Sequence, residues 1–563
     1  MSGHACRFTR FPVIGVLSLP ALLLAIGCAS TQPIKPPGLA VVLVVDMLPG
    51  DYLARFGEHF GDEGFKRITG QGAVFTNAHF SHAVTATGPG HATLMTGASP
   101  STHGIVGNRW FRSGSDAPIS CVDDLEYITI GPVEEFDSHG YSPHFLEAPT
   151  LGDVLRQKLG KQSKIWSVSL KPRAAVLAGG KSADGAIWFM AKSGDYATST
   201  YYYPSAPSWC TKLNQEEYTA RYLGMNWERF LPDEAYAGCQ PDNSAYEQGF
   251  RLVWLNTMPK LLGPGLDTPS RMYFEQVQAS PFGNDLVFEA ARQAVSQEQL
   301  GKDPAPDLLV VSLSSVDYCG HLFGPDSHEY LDMLARTDAQ VADWLAFLDR
   351  EVGRDQYVLV LTGDHGTPSA SEVTEATGMG GGRIDLRQLF SAVDSALVER
   401  FGPTEEGFHY LSAVEFPWLY LNTVVLTYHK IDVDAAAEVA VETARSFEGI
   451  EEAYNVQRMA AKAPDALSPL EKAVLDSVYA DRSGHVFLHP KRYWQRSGVA
   501  SAHGSFHNYD THVPLVFVGP GFTHGTNEQR VDMRDVAPTL SAVLGIAAPA
   551  GAEGQVLKEA IGR

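Results

Sequence analysis

Several side chains suited to binding a metal ion or a phosphate group are spread along this chain at telling spacings. Asp317 and His321 stand four apart in Asp317-Tyr-Cys-Gly-His321. On one helical turn they share a face and can hold one metal ion. Asp364 and His365 are adjacent in the turn Thr362-Gly-Asp-His-Gly366, and His503 lies in Ser501-Ala-His-Gly-Ser505. Thr87 directly precedes Gly88-Pro89-Gly90, with a helix expected to begin over 91–95. A hydroxyl there would face free backbone N–H groups and the positive end of a helix dipole, a site for an anion such as phosphate. The plainer reading of Thr87 is an ordinary helix N-cap. Taken singly, each histidine is more often structural, and His485, His489, His507 and His512 are rivals of the same type.

What lifts the set above coincidence is the elements that must carry it. Leu39–Val45, LAVVLVV, is a continuous apolar run of strand length, as a buried parallel strand requires. Runs of the same kind lie at 164–170, 308–313, 357–361 and 513–518, with helix-period segments such as 150–159 and 329–348 between them. Apolar strands alternating with helices predict an α/β fold, a three-layer αβα sandwich around a mostly parallel sheet. In such sheets ligands bind beyond the carboxyl ends of the strands. Asp46 follows the first run, Lys171 and Arg173 the second, Asp317 the third, and Asp364-His365 the fourth. Helix or strand capping does not explain four such ends. Three segments interrupt the alternation, near 113–142, 194–280 and 403–497, and are expected as inserted cap segments. The middle one is rich in rings (Tyr201, Tyr202, Tyr203, Trp209, Tyr218, Tyr222, Trp227), expected to form a small core of their own rather than a lid.

Composition bounds the function. The chain has 563 residues, 44% hydrophobic and 19% charged, as in globular proteins. Its net charge of −22 argues against nonspecific binding to nucleic acid or anionic membranes. Residues 1–28 read as a targeting segment: Arg7 and Arg10 precede an apolar stretch over 11–27, too short and Pro-interrupted for a transmembrane span. It ends Leu24-Ala-Ile-Gly-Cys28, which resembles a bacterial lipobox with Cys28 as the lipidated residue. Plain secretion is the alternative, because Ala25 stands where Leu is usual. Residues 29–38 form a spacer, and a catalytic domain is expected over 39–550. The mature chain is expected to be periplasmic, soluble or tethered only through Cys28. In an oxidising compartment Cys210–Cys239 is the preferred disulfide, and Cys319 reads as a buried free thiol. Oligomeric state is not legible.

The motifs VVDMLPGDYL, TATGPGHATLMTG, GNRWF, SLKPR, SVDYCGH, LTGDHG, AHGSFHNYDTHVPLVF and DMRDVAPTLSAVLGI occur in an order that resembles the alkaline phosphatase superfamily. The resemblance is to the branch of type I phosphodiesterases and nucleotide pyrophosphatases, and within it to the PafA-like phosphate-irrepressible alkaline phosphatases. It implies two Zn²⁺ ions, one held by Asp317, His321 and His503. Asp46, Asp364 and His365 would hold the other, with Thr87 bridging toward it as a nucleophile that forms a phosphothreonine. It also implies that Asn108, Lys171 and Arg173 hydrogen-bond the phosphoryl oxygens, and it matches His91 to no ligand position. The expected substrates are small phosphate monoesters. A diesterase or nucleotide pyrophosphatase is the close alternative, although diesterase relatives generally lack the Lys-x-Arg pair. A sulfatase would need a Cys or Ser in C/S-x-P-x-R, and Ser169-Leu-Lys-Pro-Arg173 has the wrong spacing. A metal-independent binding lipoprotein would leave the ligand set unexplained.

Overall fold

The structure is a computed structural model, and it describes residues 1–4, 9, 36–112, 115, 117–131, 140–249 and 253–562. Cys28, most of the targeting segment and part of the segment near 113–142 lie outside the described residues.

An eleven-stranded sheet forms the middle layer. In chain order its strands are Leu39–Val45 (β1), Ala73–His79 (β2), Thr129–Ile130 (β3), Ile165–Ser169 (β4), Gly185–Met190 (β5), Asp195–Ser199 (β6), Asp307–Leu313 (β7), Tyr357–Thr362 (β8), His512–Val518 (β9), Gly525–Asn527 (β10) and Val531–Asp532 (β11). They lie in the order β10-β2-β9-β8-β1-β7-β4-β5-β6-β3, with β11 also beside β2. The five strands β8-β1-β7-β4-β5 are mutually parallel. β1 shows why an unbroken apolar run suits this place. Leu39, Val41, Leu43 and Val45 enter one core while Ala40, Val42 and Val44 enter the other, so both faces are covered.

The helices that cover these faces are Thr87–Thr96 (α1), Leu151–Leu159 (α2), Pro172–Gly179 (α3), Pro281–Gln297 (α4), Ser315–Phe323 (α5), His328–Leu348 (α6) and Val536–Leu544 (α7). One face packs on α4 and α6 through Leu286, Phe288, Leu334 and Trp344. The other packs on α1, α2 and α7 through Leu94, Leu151, Leu155 and Leu540. Thr150 caps α2 in a reciprocal capping box with Asp153, which fixes where the helix starts.

Three expectations need correction. The run at 513–518 is not parallel to its neighbours: β9 pairs antiparallel with both β8 and β2. The long segment before it delivers the chain to the carboxyl edge of the sheet, so β9 must run back from there. The rings of 194–280 do not form a separate core. Trp209, Tyr222 and Trp227 extend the main core, with Trp209 5.9 Å from Trp166 and Tyr222 stacked on Phe282 at 4.8 Å. Cys210 and Cys239 are both free. Cys210 is buried on the helix Ser208–Gln215, near Asp195, whereas Cys239 lies among Asp326, Arg55 and Glu329. Cys319 is a buried free thiol.

The segment before β9 contains a four-stranded sheet in the order Leu411–Glu415, Trp418–Leu421, Val486–Pro490, Ile450–Asn455. The helices Leu386–Phe401 and Val433–Ser446 pack on it through Leu389, Val393, Ala436 and Ala440, giving it a core of its own. No helix among the described residues is long and apolar enough to cross a membrane.

Candidate active site

Four neighbouring strands, β8, β1, β7 and β4, end at one edge, and each delivers chemistry there. Asp364 and His365 follow β8, Asp46 follows β1, Asp317 lies in the first turn of α5 after β7, and Lys171 follows β4. Met47 then turns the chain with a left-handed φ of 66° and donates its N–H to Asp364 Oδ1 at 3.2 Å. A non-glycine residue in that conformation is strained, a cost tolerated mostly at functional sites. Here the turn joins the Asp46 and Asp364 ends of two adjacent strands.

Thr87 is the first residue of α1, and Ala86 is its N-cap, so the N-cap reading of Thr87 does not hold. The expected backbone donors are also largely engaged. Gly88 N–H donates to Asn108 Oδ1 at 2.8 Å, Pro89 has no N–H, and Gly90 N–H reaches Ala86 O. An anion at this helix end would therefore rely on side-chain donors. Gly90 is needed for close approach, and Gly88 is packed tightly. A Cβ on Gly90 would sit 2.3 Å from Asp364 O, and one on Gly88 would sit 3.1 Å from Cys121 Sγ.

The fold gathers Asp46, Thr87, Lys171, Asp317, Asp364, His365, His321 and His503. Lys171 Nζ lies 2.7 Å from Asp46 Oδ2, 2.5 Å from Asp317 Oδ2 and 3.4 Å from Thr87 Oγ1, with Lys171 only 1% exposed. His321 Nε2 is 3.3 Å and His503 Nε2 3.6 Å from Asp317 Oδ1. His365 Nε2 is 3.4 Å from Asp46 Oδ1 and 3.7 Å from Asp364 Oδ2. The far nitrogens of all three rings meet backbone carbonyls: His321 Nδ1 at Ser501 O (2.7 Å), His503 Nδ1 at Thr85 O (2.8 Å) and His365 Nδ1 at Gly366 O (3.1 Å). Such bonds fix the ring tautomer and leave Nε2 free as a ligand. His365 stacks on His503 at 3.6 Å, so it borders both groups of ligands.

Charge is out of balance in this cluster. Three buried carboxylates face one ammonium. Burial, reinforced by Asp317 and Asp364, pushes Asp46 above the usual carboxylate range. Asp317 is held well below that range, because Lys171 and His321 outweigh its burial. His365 rises to about 9, since Asp364 and Asp46 outweigh burial, while burial and the neighbouring His365 push His503 down to about 3. Asp46 Oδ1, Asp317 Oδ1, Asp364 Oδ2 and His365 Nε2 are all buried without a hydrogen-bond partner. Buried polar atoms left so are costly, and a cluster of carboxylate oxygens and imidazole nitrogens in that state fits a cation.

Beside this cluster opens a cleft of about 590 Å³ that Thr87, Asn108, Arg173, Asp317, His321 and His503 line. The bond from Gly88 orients the Asn108 amide, leaving its NH₂ as a donor. Arg173 Nε is buried there with no partner. Sequence reasoning passed over several residues of the site. Tyr318 lines the cleft, with Lys171 Nζ 5.1 Å from its ring centre. Arg496 also lines it, as does an ion pair at 2.8 Å between Arg109 and Glu415. Glu415 and Arg496 come from the inserted segment and carry no motif. His91 bonds Ser312 Oγ at 2.9 Å and approaches Asp364 Oδ2 at 3.4 Å, so it supports a cluster residue from behind. Only its position four residues after Thr87 on a helix could have hinted at that role.

The sequence pattern of the type I phosphodiesterase / nucleotide pyrophosphatase family matches residues 40–501. The chain is 30% identical over 554 residues to alkaline phosphatase PafA of Elizabethkingia meningoseptica, covering 98% of this chain and 99% of that protein. It is also 30% identical over 537 residues to a Myroides odoratus protein named calcium-transporting ATPase, covering 94% and 96%. The crystal structure of wild-type alkaline phosphatase PafA superposes with a TM-score of 0.87 at 30% identity, over 94% of this chain and all of that one.

Proposed function

The chain belongs to the type I phosphodiesterase / nucleotide pyrophosphatase family and is a phosphatase of the alkaline phosphatase superfamily; on that basis we propose that it is an exported, metal-dependent phosphate monoester hydrolase acting through a phosphothreonine on Thr87. The observation that carries this reading is the set of four buried ligand atoms, on Asp46, Asp317, Asp364 and His365, left without partners in the cluster that Lys171 Nζ links to the Thr87 hydroxyl. Their chemistry suits two Zn²⁺ ions. Asp317, His321 and His503 would hold one, and Asp46, Asp364 and His365, with Thr87, the other. Carboxylate oxygens and imidazole nitrogens are the donors such ions prefer. When bound, these ions lower the pKa of a hydroxyl and offset negative charge on the phosphoryl group.

The residues of the chain account for the rest. Thr87 Oγ1 bonds to phosphorus as the phosphorus–ester oxygen bond breaks, and the alcohol leaves with the hydroxyl proton. Water then displaces Thr87 from phosphorus, releasing inorganic phosphate and restoring the threonine. Asn108, Lys171 and Arg173 supply donors for the nonbridging oxygens. A monoester dianion needs them more than a diester does, since a diester has one less negative charge and a second organic group in their place. That pair of cations favours the monoesterase over the diesterase reading. Export rests on Arg7, Arg10, the apolar stretch over 11–27 and Cys28, and residues 39–550 would form one catalytic domain with three insertions.

The test pairs metal analysis with turnover of p-nitrophenyl phosphate and bis-p-nitrophenyl phosphate by the wild type and Thr87→Ala. The reading expects bound zinc, a monoester preference and loss of turnover in the variant. A diester preference that Lys171→Ala leaves unchanged would overturn it.

A further inference from the structure

A second group of metal-type ligands lies outside the cleft, on the inserted sheet. Glu451 belongs to the strand Ile450–Asn455, His489 to the antiparallel strand Val486–Pro490, and His507 to the segment that begins at His503. The pairing of the two strands places Ile450 opposite Pro490 and Glu452 opposite His489, so Glu451 is the extra residue of a β-bulge. Bulges re-aim a side chain, and this one turns Glu451 toward His489, with Oε2 3.8 Å from Nε2. The His489 and His507 rings lie 4.6 Å apart. One ligand atom from each of the three residues falls within 4.8 Å of the others. Ligands at tetrahedral corners around Zn²⁺ are roughly 3.3 Å apart for bonds of about 2.0–2.1 Å, so the set needs a modest contraction, to which the exposed Glu451 contributes by rotating.

The finer details match a ligand set as well. His507 Nε2 meets Pro490 O at 2.9 Å, the kind of backbone bond that leaves the other nitrogen, Nδ1, free to ligate. His489 is 8% exposed, and Nε2 is the nitrogen it turns toward Glu451. Burial lowers His507 and takes His489 down to about 4, so both rings are neutral at pH 7 and present lone pairs. Nothing in the proposed hydrolysis uses these residues.

We propose that Glu451, His489 and His507 form a divalent-metal site of the Zn²⁺ class, separate from the cleft, that fastens the segment carrying His503 to the inserted sheet. Two imidazoles and one carboxylate favour a borderline ion over Ca²⁺ or Mg²⁺, which take mostly oxygen ligands. Three protein ligands leave a fourth position for water. The site joins two parts of the chain that otherwise meet through contacts such as the His507–Pro490 bond. Ser505 N–H and Oγ both bond Asp510 Oδ2, which makes the segment a compact turn and lets a restraint at His507 reach His503 four residues away.

Equilibrium dialysis of the full chain against ZnCl₂ tests this, with bound metal counted in the wild type and in His489→Ala/His507→Ala. The expected result is one zinc ion per chain fewer in the double variant. Because the count is a difference, it does not depend on how many ions the cleft holds. Equal counts in the two folded proteins would overturn the proposal. Glu451→Gln covers the case in which the double variant fails to fold, since Glu451 is exposed. It should weaken the zinc site at least about tenfold, the scale set by losing even an outer partner of a ligand. Unchanged affinity in that variant would also overturn the proposal.

Discussion

Lys171→Ala is the sharpest test of how the cluster works. In the structure the ammonium is buried between Asp46 and Asp317 and lies 3.4 Å from Thr87 Oγ1. Its removal should act differently on each of three quantities. A charge-assisted hydrogen bond to a phosphoryl oxygen is worth about 1.5–3 kcal/mol. At about 1.4 kcal/mol per factor of ten, kcat/KM for p-nitrophenyl phosphate should fall roughly 10- to 150-fold. Turnover of bis-p-nitrophenyl phosphate, with less charge for the ammonium to meet, should fall by much less. Metal retention should change in the opposite direction, because an ammonium competes with Zn²⁺ for the same two carboxylates. The variant should therefore resist stripping by a chelator better than the wild type. Without metal, two buried carboxylates lose their cation, and removing one partner of a buried pair costs about 3–5 kcal/mol. The metal-free variant should melt well below the metal-free wild type, and added Zn²⁺ should close most of the gap. Steady-state kinetics on both esters, chelator titration and thermal melts with and without Zn²⁺ measure all of this. Equal losses on both esters, or weaker metal retention in the variant, would refute the reasoning.

Gly90→Ala should lower activity, because its Cβ would sit 2.3 Å from Asp364 O and push α1 away from the strand end that carries Asp364 and His365. Overpacking of this kind costs roughly 1–3 kcal/mol, and a melt unchanged within error would count against that contact. Treatment with EDTA should abolish turnover and lower Tm, with both restored by Zn²⁺; full activity after verified metal removal would exclude the two-ion reading. Glu247 tests a buried charge outside the cleft. Burial, with Glu329 nearby, raises its carboxyl to about 9. Between the unfolded value near 4.5 and that pKa, the native chain holds a proton that the unfolded chain has released, so this group's contribution to stability falls as pH rises. Glu247→Gln cannot ionise and should raise Tm at pH 8 while changing it little at pH 5. A similar shift at both pH values would show that the gain comes from packing instead.

The sequence by itself determined the parallel core and the strand ends that bear the candidate ligands. Seven-residue runs such as LAVVLVV have no polar side to expose, so they must lie inside a sheet covered on both faces. Polar residues immediately after such runs fall at the carboxyl edge whatever the loops do. The capping box at Thr150 and Asp153 was equally local. Strand direction was not, since an apolar run reads the same either way, and 513–518 turned out antiparallel because of where the preceding insertion leaves the chain. Only the tertiary structure decided where charges from separate elements meet. It lodged Lys171 between Asp46 and Asp317, brought Glu415 and Arg496 from the insertion into the cleft, kept Cys210 from Cys239, and gathered Glu451, His489 and His507. Ion pairing and burial act over a few ångströms in space, and a linear chain records those distances only for residues within a turn of one another.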